Sequence, residues 1–309
     1  MKKSLVARLL RQRWLQLFVL LGMAYLVIFN YMPMAGIIIA FNNYKLSSGI
    51  LGMFTSPFVG LDHFIEFFSD YQIGDLFINT ILMSITKLLF SFPLPIILAL
   101  ALNEVKNRLL KRTIQTVSYL PYFISWVIVY GFCNIMFTKT GVINDLIAAL
   151  GGERVAFLSN PDAFLPLAVF TAVWKETGWW AIIFLAAITS IDLSLYDSAQ
   201  VDGASRLQRI FYITLPGIRP TITVVLILAL GNLLGGGLSG SNFEQAYLFG
   251  NAGNLERAEI LQTYIMKVGL SKARYSYAAA AGLVQSLIGL ALVGISNFTA
   301  NKLTGEGLF

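Results

Sequence analysis

Apolar residues in this chain come in long, nearly unbroken runs separated by short polar stretches. Six such runs stand out, from Trp14 to about Phe41, Asp75 to Leu102, Thr113 to Phe137, Ala163 to Ile191, Pro220 to about Leu238, and Ser276 to Phe298. Each approaches or exceeds the roughly 20 residues that carry an α-helix across a bilayer. A membrane barrel would instead alternate apolar and polar residues over about 10 positions per strand. The pattern therefore predicts an all-α, polytopic membrane protein with about six transmembrane helices.

The first run is longer than a secretory signal core and lacks a small-residue cleavage site, so it reads as a retained span. Pro33 and Gly36 are expected to bend its outer end, and Pro93 and Pro95 to kink the second. Between these two runs, Leu61–Phe68 is a short amphipathic piece with Phe64, Phe67 and Phe68 on one face, and His63 reads as a surface residue. In the loop after the third run, Val142–Leu150 predicts a short helix ended by Gly151-Gly152. The Asn242–Tyr275 stretch reads as a polar outer loop. Gly231 and Gly235 of the fifth run have the small-x-x-x-small spacing of close helix packing, with a flexible hinge as the runner-up reading.

Composition agrees: 57% of residues are hydrophobic and 12% charged, against about 25% charged in soluble domains. One histidine and one cysteine, His63 and Cys133, exclude an internal disulfide and argue against a metal cluster. The net charge of +6 needs no nucleic-acid partner, because membrane proteins collect Lys and Arg on cytoplasmic loops. Lys2, Lys3, Arg8, Arg11 and Arg13 precede the first run, Lys106, Arg108, Lys111 and Arg112 follow the second, and Arg206, Arg209 and Arg219 follow the fourth. Both termini are thus expected in the cytoplasm, although Arg257, Lys267, Lys272 and Arg274 make the last outer loop basic. The chain divides into residues 1–74, the first span with its loop, and a core of five spans, 75–309.

One charged segment between two apolar runs is unusually ordered. Ser194-Leu195-Tyr196-Asp197 resembles a capped helix start, and a helix is expected from Leu195 to Asp202. Gly203 permits a turn, and a second helix from Ala204 presents Leu207, Ile210, Phe211 and Thr214 on one face until Pro216 stops it. Arg206 and Arg209 read as solvated or lipid-facing, with contact to a soluble partner as the lesser alternative. The predicted result is a rigid knob at the membrane surface, shaped for a cleft in a soluble partner.

The same segment resembles the EAA loop of ABC importer permeases of the maltose type. That loop reads Glu-Ala-Ala, three residues, Gly, nine residues, Ile-x-Leu-Pro. Here Asp197 stands for the Glu, Ser198 and Ala199 for the two Ala, and Gly203, Ile213, Leu215 and Pro216 match outright. Phe41-Asn42-Asn43-Tyr44, Val59-Gly60-Leu61, Thr113-Ile114-Gln115-Thr116, Tyr119-Leu120-Pro121, Phe123-Ile124-Ser125-Trp126 and Trp174-Lys175-Glu176-Thr177-Gly178-Trp179 resemble the branch that handles oligosaccharides and polysaccharide fragments.

The resemblance implies a type I ABC importer permease fold in the bacterial cytoplasmic (inner) membrane. Its implied partners are a second homologous permease forming a heterodimer, two ABC ATPase subunits, an external solute-binding protein and membrane lipid. It implies ATPase coupling through residues 192–219, with Ser194, Tyr196, Asp197, Ser198, Ala199, Asp202, Gly203, Ala204, Ile213, Leu215 and Pro216 as contacts. The chain has no Gly-x-x-x-x-Gly-Lys-Ser/Thr stretch, so ATP and Mg belong to the ATPase subunits and no cofactor is expected here. The alternatives are a self-sufficient secondary carrier or channel, disfavoured by the lack of an internal repeat, and a membrane-embedded enzyme, disfavoured by dispersed acids.

Lys87, Lys175 and Glu176 lie inside apolar runs, where an ionised side chain costs about 2.5 to 3.5 kcal/mol at a helix centre, so each needs a partner or a wet cavity. At helical spacing Lys175 lies under Trp179 and Glu176 under Trp180. Trp174, Lys175, Glu176 and Trp179, then Tyr130, Asn134 and Asn232, are candidates for a sugar pathway, since aromatic faces stack on pyranose rings and charges bond hydroxyls. Equally, Lys175 and Glu176 fit structural pairs with a neighbouring span, and the tryptophans fit interface anchors.

Overall fold

The computed structural model describes residues 12–238 and 240–305; the basic residues Lys2, Lys3, Arg8 and Arg11 lie outside the described residues. Among the described residues the only β-pairing is an isolated bridge between Asn42 and Phe58. The chain forms two compact units, one of residues up to Asp70 with Ile265–Val284, the other of Tyr71–Tyr264 with the residues from Gln285 on.

The first unit begins with the helical run Arg13–Phe41, whose apolar stretch is entirely unburied. Its regular part is α1, Arg13–Leu26. The run widens at Val27–Tyr31 just before Pro33, because the proline ring displaces the carbonyl four residues back. Helix α2, Asp62–Ser69, buries Phe67 and leaves Phe68 exposed. The three-phenylalanine face is therefore split: Phe67 packs on Tyr277 with ring centroids 6.1 Å apart. His63 is half-buried, its Nε2 3.3 Å from the Asn42 carbonyl.

The second unit holds α3, Ile73–Ser91, and α4, Pro93–Glu104. They break at Phe92, where Pro93 takes the first helical position, which needs no N–H. The third apolar run is not one helix. Helix α5, Arg108–Tyr119, is capped by Asn107, whose Oδ1 accepts from the N–H groups of Leu109 and Leu110. A tight turn follows at Leu120–Phe123, and Ser125 caps α6, Trp126–Phe137. Pro121 cannot extend α5, and the Ser125 hydroxyl offers a fresh start to the next helix. Helix α7, Val142–Ala149, ends as expected, at Gly151 with φ +85°.

Helix α8, Pro161–Thr189, spans 29 residues and is the axis of this unit. At 1.5 Å per residue it is about 43 Å long, more than a hydrocarbon core about 30 Å thick. Ala181, Phe184 and Ile188 form one core cluster with Ala99 of α4, while Phe164 and Ala168 form another with Met83 of α3 and Val129 of α6. Gly178 sits where α8 crosses α5, and a Cβ there would overlap the backbone of Ser118 and Tyr119. Main-chain atoms cannot rotate aside. Gly178→Ala is therefore expected to push the two helices apart at a cost of about 1 to 3 kcal/mol. A thermal-unfolding midpoint unchanged in detergent would refute this.

After α8 come α9, Leu193–Val201, α10, Arg206–Gly217, and α11, Arg219–Gly231. The fifth run is again shorter as a helix than as an apolar stretch. It ends at Gly231, and the chain turns through Gly236 (φ +113°), Gly237 (φ +65°) and Gly240 (φ +62°) before α12, Asn242–Phe249. Gly231 and Gly235 thus do not share a helix face. Gly231 abuts Val293 of α13, Tyr275–Thr304, whose Gly289 would bring a Cβ 3.2 Å from the Gly231 carbonyl. Close packing is real at Gly231, but its partner is α13. Four helical runs are long and apolar enough to cross a membrane among the described residues, and six if each of two bent pairs counts as one.

Candidate functional site

Two features of the second unit bear on function, a surface knob and a buried polar cluster. The knob is built by α9 and α10. Asp192, with β-region backbone, caps α9 by accepting from the Ser194 N–H at 2.9 Å. Ser194, expected as the cap, is instead inside the helix, its carbonyl taking the Ser198 hydroxyl at 2.9 Å. Either residue type can cap, and the backbone turn leaving α8 decides between them. The Ser194 N–H, helped by its hydroxyl, holds the Asp192 carboxyl below the ordinary carboxylate range. The cap is therefore intact at neutral pH and lost as pH falls through that lowered value.

The far end of α9 is closed by two backbone bonds, Ala204 N–H to the Ala199 carbonyl at 2.8 Å and Gly203 N–H to the Gln200 carbonyl at 3.2 Å. This is a Schellman closure, and it requires the left-handed φ of +76° at Gly203. Ser205 and Gln208 then form a reciprocal capping box that starts α10. The Tyr196 hydroxyl bonds Thr214 Oγ1 at 2.9 Å, tying α9 to the buried middle of α10.

Pro216 does not stop α10. The helix widens at Ile210–Thr214 and runs through the proline to Gly217, the same accommodation as at Pro33. It then bends by 60° into α11, while α9 turns by 71° from α8. Asp197, Ser198, Asp202 and Gly203 are exposed, Ala199, Ala204, Ile213 and Leu215 half-buried, and Pro216 exposed. Val201 is 88% exposed, and Leu193, Leu195, Leu207 and Tyr212 are also open. So many apolar groups on a short segment mark a surface meant to be covered.

The buried cluster centres on Lys87 of α3, 1% exposed. Its ammonium donates to Ser241 Oγ at 2.8 Å, Asn242 Oδ1 at 3.0 Å and Gln245 Oε1 at 2.7 Å. Ser241 Oγ reaches Glu176 Oε1 at 3.4 Å, Asn242 Nδ2 donates to Ser84 Oγ at 2.8 Å, and Gln245 Nε2 donates to Thr171 Oγ1 and the Ala168 carbonyl. Asn242 and Gln245 were expected in an outer loop; with Ser241 they are buried instead, because a cation within a span needs oxygen partners and the start of α12 supplies them.

Lys175 is satisfied separately. It donates to the Tyr122 carbonyl at 2.6 Å and lies over the Tyr122 and Trp126 rings, 5.1 and 5.6 Å from their centroids. Trp179 stacks on Tyr122 with centroids 4.5 Å apart. Lys175 and Trp179 thus meet on one helix face, as the spacing predicted, and Glu176 joins the Lys87 cluster. The other pathway candidates stay apart. Trp174 remains 43% exposed, Tyr130 packs on Phe249, Asn134 is exposed, and Asn232 donates to the Gly237 carbonyl. The part missed from sequence was the α12 triad of Ser241, Asn242 and Gln245. The signal for it was the unexplained Lys87 itself.

Residues 91–303 match the family model described as "Binding-protein-dependent transport system inner membrane component". Protein LplB of Bacillus subtilis (strain 168) is 45% identical over 307 residues, covering 99% of this chain and 94% of that protein. The polygalacturonan/rhamnogalacturonan transport system permease protein YteP of the same organism is 43% identical over 309 residues, covering 100% of this chain and 94% of its own. Among solved structures, a bacterial ABC transporter involved in the import of the acidic polysaccharide alginate contains a chain 38% identical, with a TM-score of 0.86 over 98% of this chain and 100% of that one. A crystal structure of a bacterial alginate ABC transporter in complex with alginate pentasaccharide-bound periplasmic protein contains a chain with the same TM-score and identity, over 99% of this chain and 100% of that one.

Proposed function

This chain belongs to the family of binding-protein-dependent transport system inner membrane components, and from that membership we propose how it works. It is a multi-pass membrane permease subunit of an ATP-binding-cassette importer. Its cargo is an oligosaccharide or polysaccharide fragment, as the names of the polygalacturonan/rhamnogalacturonan and alginate relatives support. Its setting is the bacterial cytoplasmic membrane with both termini inside. A second homologous permease completes the passage, an external solute-binding protein delivers the sugar, and two ATPase subunits bind ATP and Mg. The chain itself performs no hydrolysis.

The observation that carries the coupling role is the knob of α9 and α10. Its two helices are fixed by an Asp cap, a Schellman turn, a capping box and the Tyr196–Thr214 bond. A piece so constrained transmits a push as a body instead of deforming, which is what alternating access driven by ATPase closure requires. Trp174 is the pathway candidate assigned to touch sugar, because its indole is open while its neighbours Lys175 and Glu176 are buried. Those two residues serve as framework.

Reconstitution tests the reading. With both permeases, the ATPases and the binding protein in liposomes, oligosaccharide uptake should require ATP. Sugar transport by this chain alone would instead identify a self-sufficient carrier. Asp197→Lys should lower both uptake and ATPase co-purification while membrane insertion is unchanged, because Asp197 is exposed and contributes no cap. Normal co-purification of that variant would remove Asp197 from the contact surface.

A further inference from the structure

Beside the knob lies a cleft of about 690 Å³ that coupling alone does not explain. One wall is the turn after α4, with Lys106; the other is the start of α10, with Arg206 and Arg209. None of these three cations has an ion-pair partner among the described residues. Glu104 is on the same rim, and the surplus of charge is positive. The apolar part of the lining is Ile188 at the end of α8 and Leu193 at the start of α9. The cleft therefore sits where α4 and α8 reach their last turns, the level at which a spanning helix meets lipid headgroups.

We propose that this cleft binds the phosphate of an anionic phospholipid, with the glycerol end of its chains against Ile188 and Leu193, and that the bound lipid braces the coupling knob. The sidedness rests on the importer reading, which places the knob toward the cytoplasmic leaflet, where anionic lipids attract basic residues. The occupancy pattern of α9 separates this site from the ATPase surface. Leu193, Tyr196 and Gln200 face the cleft at i, i+3 and i+7, whereas Ser194, Ser198 and Val201 lie on another side of the helix. A soluble partner thus has its own face, and the cleft is left to a ligand that combines an anion with an apolar body. Lipid supplies both at this depth.

The test uses the complete transporter in nanodiscs of phosphatidylcholine, alone or with about one-fifth phosphatidylglycerol. Lipid carried through detergent exchange is counted by native mass spectrometry, and substrate-stimulated ATP hydrolysis is measured in parallel. Wild type should retain phosphatidylglycerol about a hundredfold better than a Lys106→Gln, Arg206→Gln, Arg209→Gln variant, and its hydrolysis should rise with phosphatidylglycerol while the variant's does not. Equal retention by the two proteins would overturn the proposal. So would equal stimulation by inorganic phosphate in pure phosphatidylcholine, which would make this a free-anion site. Loss of ATPase co-purification by the variant, with lipid retention unchanged, would assign the cleft to the ATPase. A single Arg206→Gln, read by retention, guards against misfolding of the triple variant. Retention is scored independently of hydrolysis, so failure of the importer reading leaves it decisive.

Discussion

Gly203→Pro is expected to abolish ATP-driven uptake while the chain still inserts and accumulates in the membrane. Proline locks φ near −65°, whereas this position sits at +76°. The substitution also deletes the N–H that donates to the Gln200 carbonyl and disfavours helical backbone at Asp202. The local cost is about 3 kcal/mol or more, concentrated in the turn that joins α9 to α10, so the knob is lost and the spans are not. Gly203→Ala separates shape from space. No heavy atom lies within 4 Å of a Cβ at this position, so alanine meets only the left-handed backbone penalty, about 1 to 2 kcal/mol. Uptake should rank glycine above alanine and alanine above proline. Uptake, ATPase co-purification and membrane abundance are the measurements, and wild-type uptake by the proline variant would remove the turn from the coupling machinery.

Lys87→Met should lower the thermal midpoint of the purified transporter and reduce uptake to the level seen without ATP. Methionine fits a span, but it leaves oxygens of Ser241, Asn242 and Gln245 buried without their shared donor. Hydrogen bonds to a charged group contribute about 1.5 to 3 kcal/mol each, and a buried acceptor left unpaired costs a comparable amount. The functional loss follows from position. The glycine-rich turn after α11 has no regular helix to hold it, and Lys87 anchors its end to α3. If Lys87→Met kept both the midpoint and the uptake, the cluster would be dispensable packing. Loss of uptake at an unchanged midpoint would make Lys87 a transport residue and not an anchor.

Several features were legible because they are local. Gly203 in a charged helical segment predicts a left-handed turn, and Gly151-Gly152 predicts the end of α7; both are settled by sterics within a few residues. The run lengths predicted the spans except the third, which is split, and the end of the fifth, and the spacing of Lys175 and Trp179 predicted their shared face. Other local signals competed, and the sequence did not rank them. Asp192 and Ser194 can each cap α9, and Pro216 can stop a helix or be absorbed by a wide turn, as at Ile210–Thr214. Ser125, a capable cap in plain view, was hidden inside a stretch apolar enough to read as one span.

The sequence by itself determined the helical class, the approximate spans, the knob and the family likeness of its EAA loop, because hydropathy, backbone sterics and motif spacing act between near neighbours. Only the tertiary structure decided which polar stretches are interior. Lys87 meets its partners 154 to 158 residues further along the chain, and Gly178 meets the backbone of another helix. Ile265–Val284 returns to the unit formed by the residues up to Asp70. A polar residue reads the same in sequence whether water or a distant ammonium will satisfy it, and folding makes that choice.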